Sequence, residues 1–149
     1  MTGLLFALTE NLALLLALAF LYGPMRRRLQ GRAVLDPLAS GLLFALAAVL
    51  ARQMAIELRP GVVIDGAAVM VMAAGPFGGV GAALVAGALS AAFGLYLGGV
   101  GALTGSAVVL GAAALGVGWA WLRLLRPGGL SPWQLLAMGL ALAALALLC

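Results

Sequence analysis

The 149-residue sequence contains no histidine, no lysine, one cysteine and four acidic residues. Without histidine the chain cannot supply a phosphoacceptor histidine, a His-ligated metal or haem, or a Ser-His-Asp triad. The single cysteine, Cys149, has no intrachain partner for a disulfide. Charge is scarce as well, at 8% of residues, whereas 66% fall in the set AVILMFWYC and the mean hydropathy is +1.24. Soluble domains carry about a quarter charged residues and roughly 45 to 50% apolar ones, so this composition is that of an integral membrane protein. The net charge of +4 comes from eight arginines against Glu10, Asp36, Glu57 and Asp65. Those arginines are too few and too dispersed to form a nucleic-acid footprint, and no nucleic-acid partner is expected.

Apolar segments fall at about 3–22, 38–58, 62–75, 77–97, 102–122 and 133–148, which predicts an all-α, six-helix transmembrane bundle over a single domain, residues 1–149. No room remains for a soluble catalytic domain. The first segment opens without a basic stretch and its arginines follow the apolar run, so it is expected to stay as an anchor and not to be cleaved as a signal peptide. The third is bounded by Pro60-Gly61 and by Gly75-Pro76-Phe77-Gly78-Gly79 and is too short for a full crossing. A short, tilted or broken helix inside the bundle is expected there, because neighbouring helices must satisfy the freed backbone groups. Six of the eight arginines sit at 26, 27, 28 and 32 and at 123 and 126. The positive-inside rule then predicts a cytoplasmic first and fifth loop, with the N-terminus, the loop 57–61, the turn 98–101 and the C-terminus outside. The triple arginine 26–28 reads as a topology anchor meeting anionic lipid. Tyr22, Trp119, Trp121 and Trp133 read as an aromatic belt.

Glycines recur four apart at Gly75 and Gly79, Gly94 and Gly98, and Gly101 and Gly105, with Ala112 and Gly116 as a variant. Small residues at that spacing let helix backbones approach closely; packing within the chain is the plain reading and a homodimer the other. The scarce polar residues converge in the outer half. Glu10 and Asn11 lie roughly 10 to 12 Å below the outer end of the first helix, and Arg52 and Gln53 roughly 8 to 9 Å below that of the second. Asp65 is about one turn into the third helix, Tyr96 closes the fourth, and Thr104 and Ser106 open the fifth. The inner half has almost nothing equivalent. An ionisable group in the membrane costs roughly 2.5 to 3.5 kcal/mol unless it is paired or faces a wet cavity. Two readings stay open: a structural clasp in which Arg52 pairs with Asp65 or Glu10, or an outward-facing pocket for a small ligand. No nucleophile and base pair or metal constellation is present, so an enzyme, a metal and a cofactor are not expected.

The segments Pro60-Gly61-Val62-Val63-Ile64-Asp65-Gly66, Ala74-Gly75-Pro76-Phe77-Gly78-Gly79 and Leu95-Tyr96-Leu97-Gly98-Gly99-Val100-Gly101-Ala102-Leu103-Thr104-Gly105 together resemble the LytS-type five-transmembrane sensor region (5TM-5TMR_LYT) of bacterial histidine kinases and GGDEF cyclases. The opening, from Glu10-Asn11-Leu12 through Tyr22-Gly23-Pro24-Met25-Arg26-Arg27-Arg28, fits the same pattern. The resemblance implies a multi-pass signal-input module of the bacterial inner membrane, related in fold to the S components of vitamin transporters and coupled to a cytoplasmic kinase or cyclase. No output domain is present, so the expectation is an excised input region or a stand-alone protein acting through a partner. The alternative function is an S-component-like solute-binding subunit of a transporter. The family, as the resemblance presents it, tends to carry arginine at the positions of Ala67 and Gly94. An anion in a low-dielectric pocket needs charge-assisted, preferably bidentate donors. The expected ligand is therefore neutral or cationic, and not a small carboxylate held by two arginines.

Overall fold

A computed structural model describes residues 2–29, 31–53, 56–59, 62–64, 66–98 and 102–125, with scattered positions between 133 and 144; side chains at 2–8, 11, 56–59, 62–64 and 124 lie outside that description. The first helix, α1 (Thr2–Leu29), carries the apolar run through Pro24 and on to Arg26, Arg27 and Arg28. Its 28 residues extend about 42 Å, more than the roughly 30 Å hydrocarbon core, which lets the arginines reach water. A turn through Gly31, at φ 97°, reverses the chain. The second helix, α2 (Leu35–Gln53), then starts with Asp36 in its first turn and ends with Arg52 in its last, each charge matched to the helix dipole.

The apolar segment expected to run as helix to residue 58 ends at Gln53 and gives way to a hairpin of β1 (Ile56–Arg59) and β2 (Val62–Ile64). The strands pair antiparallel with Ile56 opposite Ile64, Glu57 opposite Val63 and Arg59 opposite Val62, and a register irregularity between Glu57 and Arg59. The fold is helical as expected in every other described element, and the reason for this local departure lies in the residues themselves. Ile56, Val62, Val63 and Ile64 are β-branched, stiff in a helix and at ease in a strand, and they flank Pro60-Gly61, a dipeptide that punctuates chains as turns.

The third and fourth expected segments form one element, α3 (Ala67–Leu97), interrupted at Gly79 by φ 83° and ψ −175°. The interruption is a reversal. Val71 Cγ1 lies 3.8 Å from where a Cβ on Gly87 would sit, although sixteen residues of straight helix would separate them by roughly 24 Å. Residues 67–78 thus form one arm and residues 80–97 a second arm returning beside it. The first arm is only about 18 Å long, as its Gly and Pro boundaries predict. It is enclosed by its neighbours, with Ala67, Ala68, Met70, Val71, Met72, Ala74, Gly75 and Pro76 all buried. Pro76 was expected outside the helix and is inside it. Having no N–H, it leaves the Met72 carbonyl without its helical donor. Gly116 of α4 (Ala102–Leu125) comes in at that point, its Cβ position 2.9 Å from Met72 O.

The helix directions follow from these contacts. The second arm lies antiparallel to α4, with Gly87 against Ala113 and Gly94 against Ser106, and parallel to α2, with Gly81 against Pro37 and Gly41 against Val85. Phe44, Ala51, Met70, Val71, Ala82 and Val109 join in the core. Leu35–Gln53 and Ala102–Arg123 are each long and apolar enough to cross a membrane, whereas the apolar stretch Ala67–Leu97 folds back at Gly79 and is not one crossing. Of the expected sixth segment, 133–148, too few residues are described to give an element. The bundle has a basic end, with Arg26, Arg27, Arg28 and Arg123, and an opposite end formed by the hairpin and Gly98.

Gly75 has no room for a side chain, since a Cβ there would run into the Gly116 backbone, whereas Gly118 has nothing within 4 Å. Gly75→Ala is expected to lower stability by about 3 kcal/mol, at the top of the overpacking range because backbone must move. Gly118→Ala should be neutral or gain up to about 1 kcal/mol of helix propensity. Thermal unfolding of the purified protein in one detergent compares them, and equal melting temperatures would refute the close approach of α3 to α4.

Candidate functional site

Polar side chains meet at both ends of the α3–α4 pair. At the hairpin end Arg52, half-buried on the last turn of α2, reaches across the second arm of α3 to α4. Its guanidinium lies over Gly94, where a Cβ would overlap Nη1, and its Nη2 is 3.3 Å from the Cβ position of Gly105. Ser106 Oγ is 2.9 Å from the Cβ position of Gly94. Ser106 is buried and its hydroxyl donates to the Ala91 carbonyl at 3.3 Å, tying α4 to the second arm beside the guanidinium. Two glycines therefore form the floor on which a charged group rests. A planar cation with five donors in such a crevice can accept an anion or several acceptor oxygens.

Of the residues expected to converge here, Arg52 and Ser106 are together. Gln53, Thr104 and Tyr96 stand at the same end but are exposed, Tyr96 by 87%. Glu10 is half-buried on α1. The Asn11 side chain and the whole of Asp65 lie outside the described residues, and with them the Asp65 contact of the expected clasp. Among the described residues, no three His, Cys, Asp or Glu side chains gather in a group that could hold a metal ion.

The basic end carries a second cluster that the sequence reading did not find. The first arm of α3 stops at the Gly79 break, so its last carbonyls have no helical donors. Two are satisfied from other helices: the Tyr22 hydroxyl of α1 donates to the Phe77 carbonyl, and Arg123 Nη1 of α4 donates to the Pro76 carbonyl. Tyr22, Phe44 and Phe77 form a ring cluster, with centroids 5.8 Å apart for Tyr22 and Phe44 and 6.0 Å for Tyr22 and Phe77. The Arg26 guanidinium stands 5.9 Å over the Tyr22 ring. Asp36 Oδ1 of α2 is buried without a hydrogen-bond partner among the described residues, and Asp36 and Ser40 both act on Tyr22 from α2. All four helices thus meet on the reversal of α3. Tyr22 and Trp119 are turned inward and are not belt residues, while Trp121 and Trp133 are exposed as a belt requires. A sequence signal existed: a Gly-Pro-Phe-Gly-Gly break inside apolar chain orphans carbonyls, and Tyr22 and Arg123 are donors at the matching depth.

A broken helix with side-chain caps and a basic end belongs to a helical membrane protein built to position polar groups inside a bundle. A family model described as 5TMR of 5TMR-LYT (5TM-5TMR_LYT) matches residues 19–149, and the chain belongs to that family. The domain is a membrane sensor module of signal transduction. No curated protein matches the chain. No solved structure matches it either.

Tyr22→Phe and Arg123→Met each remove one cap from the α3 reversal. A neutral hydrogen bond contributes about 1 kcal/mol and one from a charged donor about 1.5 to 3. Arg123→Met should therefore lower the unfolding free energy in detergent by about 2 kcal/mol and Tyr22→Phe by about 1. Wild-type stability in both variants would show that the carbonyls reach water instead.

Proposed function

We propose that residues 1–149 form the input domain of a multi-pass sensor of the bacterial inner membrane, which perceives a small ligand or an envelope cue at the hairpin end. The signal passes to a cytoplasmic histidine kinase or diguanylate cyclase at the basic end. Family membership supports the class of function. The observation that carries the site is the Arg52 guanidinium lodged between Gly94, Gly105 and Ser106. The hairpin-end crevice and the basic-end cluster share α3 and α4, so an occupant that shifts one helix against the other shifts the caps on the reversal. A ligand acts through differential contact with two packings of these helices.

The ligand class follows from charge. Arg52 in a clasp with Asp65 or Glu10 leaves the crevice neutral to slightly acidic, which suits a neutral or cationic molecule. Arg52→Leu, Asp65→Leu and Glu10→Leu test the clasp, since a charge left without its partner costs about 3 to 5 kcal/mol. Unchanged stability in all three removes it. Calorimetric titration of the purified protein with small carboxylates, amines and polyols tests the ligand class. Saturable micromolar binding of a carboxylate, abolished by Arg52→Ala, would overturn it. Fusion of the chain to a histidine-kinase output, with autophosphorylation as readout, tests the coupling, and output indifferent to every envelope condition and to Arg52→Gln would refute it. Topology is read in intact cells carrying Gln30→Cys in a Cys149→Ser background. Protection from an impermeant thiol reagent is expected, and labelling places the basic end outside.

A further inference from the structure

The three arginines that end α1 do different work. Arg26 turns inward over the Tyr22 ring. Arg27 and Arg28 face away from the bundle and line a groove of about 500 Å³ with Ala19, Phe20, Gly23 and Pro24. These six positions follow one stripe of the helix, apolar toward the membrane and cationic toward the basic end. Phe20 is 80% exposed, a large ring that neither α2 nor α3 covers. Gly23 leaves the groove open, with nothing within 4 Å of its Cβ position. Pro24 lacks the N–H that would bond the Phe20 carbonyl, so an acceptor oxygen is left at the middle of the stripe. No acidic partner for Arg27 or Arg28 is present among the described residues.

We infer that this groove is a binding site for one anionic glycerophospholipid of the leaflet at the basic end. The phosphate sits between Arg27 and Arg28, and an acyl chain lies along Ala19, Gly23 and Phe20. The charge argument decides the occupant. Two guanidinium groups with no acidic partner among the described residues, beside an exposed apolar face, complement a ligand that is anionic at one end and hydrocarbon at the other. A free phosphate lacks the second part, and an acidic protein segment would have to enter the apolar region of the bilayer. The site goes beyond the sensor reading and does not depend on it, because it lies on α1 and uses neither Arg52 nor the crevice around it.

The test is equilibrium binding of phosphatidylglycerol to the purified chain in a neutral detergent, read as bound lipid per protein by native mass spectrometry. Phosphatidylcholine with the same chains and glycerol phosphate without chains are the comparisons. Saturable binding of about one phosphatidylglycerol is expected, with the other two binding far more weakly. The double variant Arg27→Gln, Arg28→Gln should lose roughly 25-fold in affinity, about fivefold per arginine. Arg32→Gln, a charge of the same region outside the groove, should lose nothing. Gly23→Leu keeps every charge and fills the groove where space is open, so it should also weaken binding while circular dichroism stays unchanged. Equal loss in Arg32→Gln, full binding in Gly23→Leu, or equal binding of phosphatidylcholine would overturn the site, as would an acidic protein held by Arg27 and Arg28 that phosphatidylglycerol does not displace.

Discussion

At Gly79 the backbone takes φ 83° and ψ −175°, a conformation that a residue with a Cβ adopts only at a cost, and this one residue converts a 31-residue apolar element into two arms lying side by side. The rest of the bundle is arranged around that reversal. It exposes the last carbonyls of the first arm at the basic end, where Tyr22 and Arg123 must cap them. It sets the second arm between α2 and α4, so that Arg52 can reach across it. In hydrocarbon an unsatisfied backbone group costs several kcal/mol, so a broken helix in a membrane requires partners from neighbouring helices, and those partners in turn fix where the neighbours stand.

Small residues make the arrangement physically accessible. Lipid is as apolar as leucine, so helices in a membrane gain from close contact more than from burial itself. Gly75 and Gly116 bring α3 and α4 together at backbone distance, and Gly41 does the same for α2 and the second arm. Gly94 and Gly105 have another use, giving up volume to a guanidinium. An arginine at position 94 would overlap Arg52, so the glycine there and the placement of Arg52 are two sides of one steric fact.

Hydropathy alone places α4 to within three residues and finds α1 and α2, although α1 runs seven residues past its expected end at 22 and α2 stops five short of 58. The glycine spacing anticipates the contacts at Gly75, Gly94, Gly105 and Gly116, but Gly79 and Gly98 stand at positive φ and serve turns. The hairpin β1–β2 escapes because an apolar stretch of Ile and Val satisfies a hydropathy window whether it is helix or strand. Counting depth along each helix places Arg52, Gln53, Tyr96, Thr104 and Ser106 at one level but says nothing of azimuth, and it is azimuth that brings Arg52 and Ser106 together over Gly94. The cluster at Tyr22 and Arg123 escapes for a related reason. Its acceptors are backbone carbonyls, which every residue carries, and they become special only once Gly79 has broken the ladder.

The first arm of α3 also constrains how the protein is made. At about 18 Å it is too short to span a bilayer as an independent helix, and its buried residues have few lipid-facing positions among them. During synthesis its partners on α2 are already out of the ribosome, but Gly116, which meets the carbonyl freed by Pro76, and Arg123, which caps Pro76 itself, are translated later. The insertion machinery therefore has to hold residues 67–97 as an incomplete hairpin, with bare carbonyls at its bend, until α4 emerges. The last turn of α4 closes the first arm, and assembly of this bundle is ordered by a proline and a glycine that precede the completing helix by more than twenty residues.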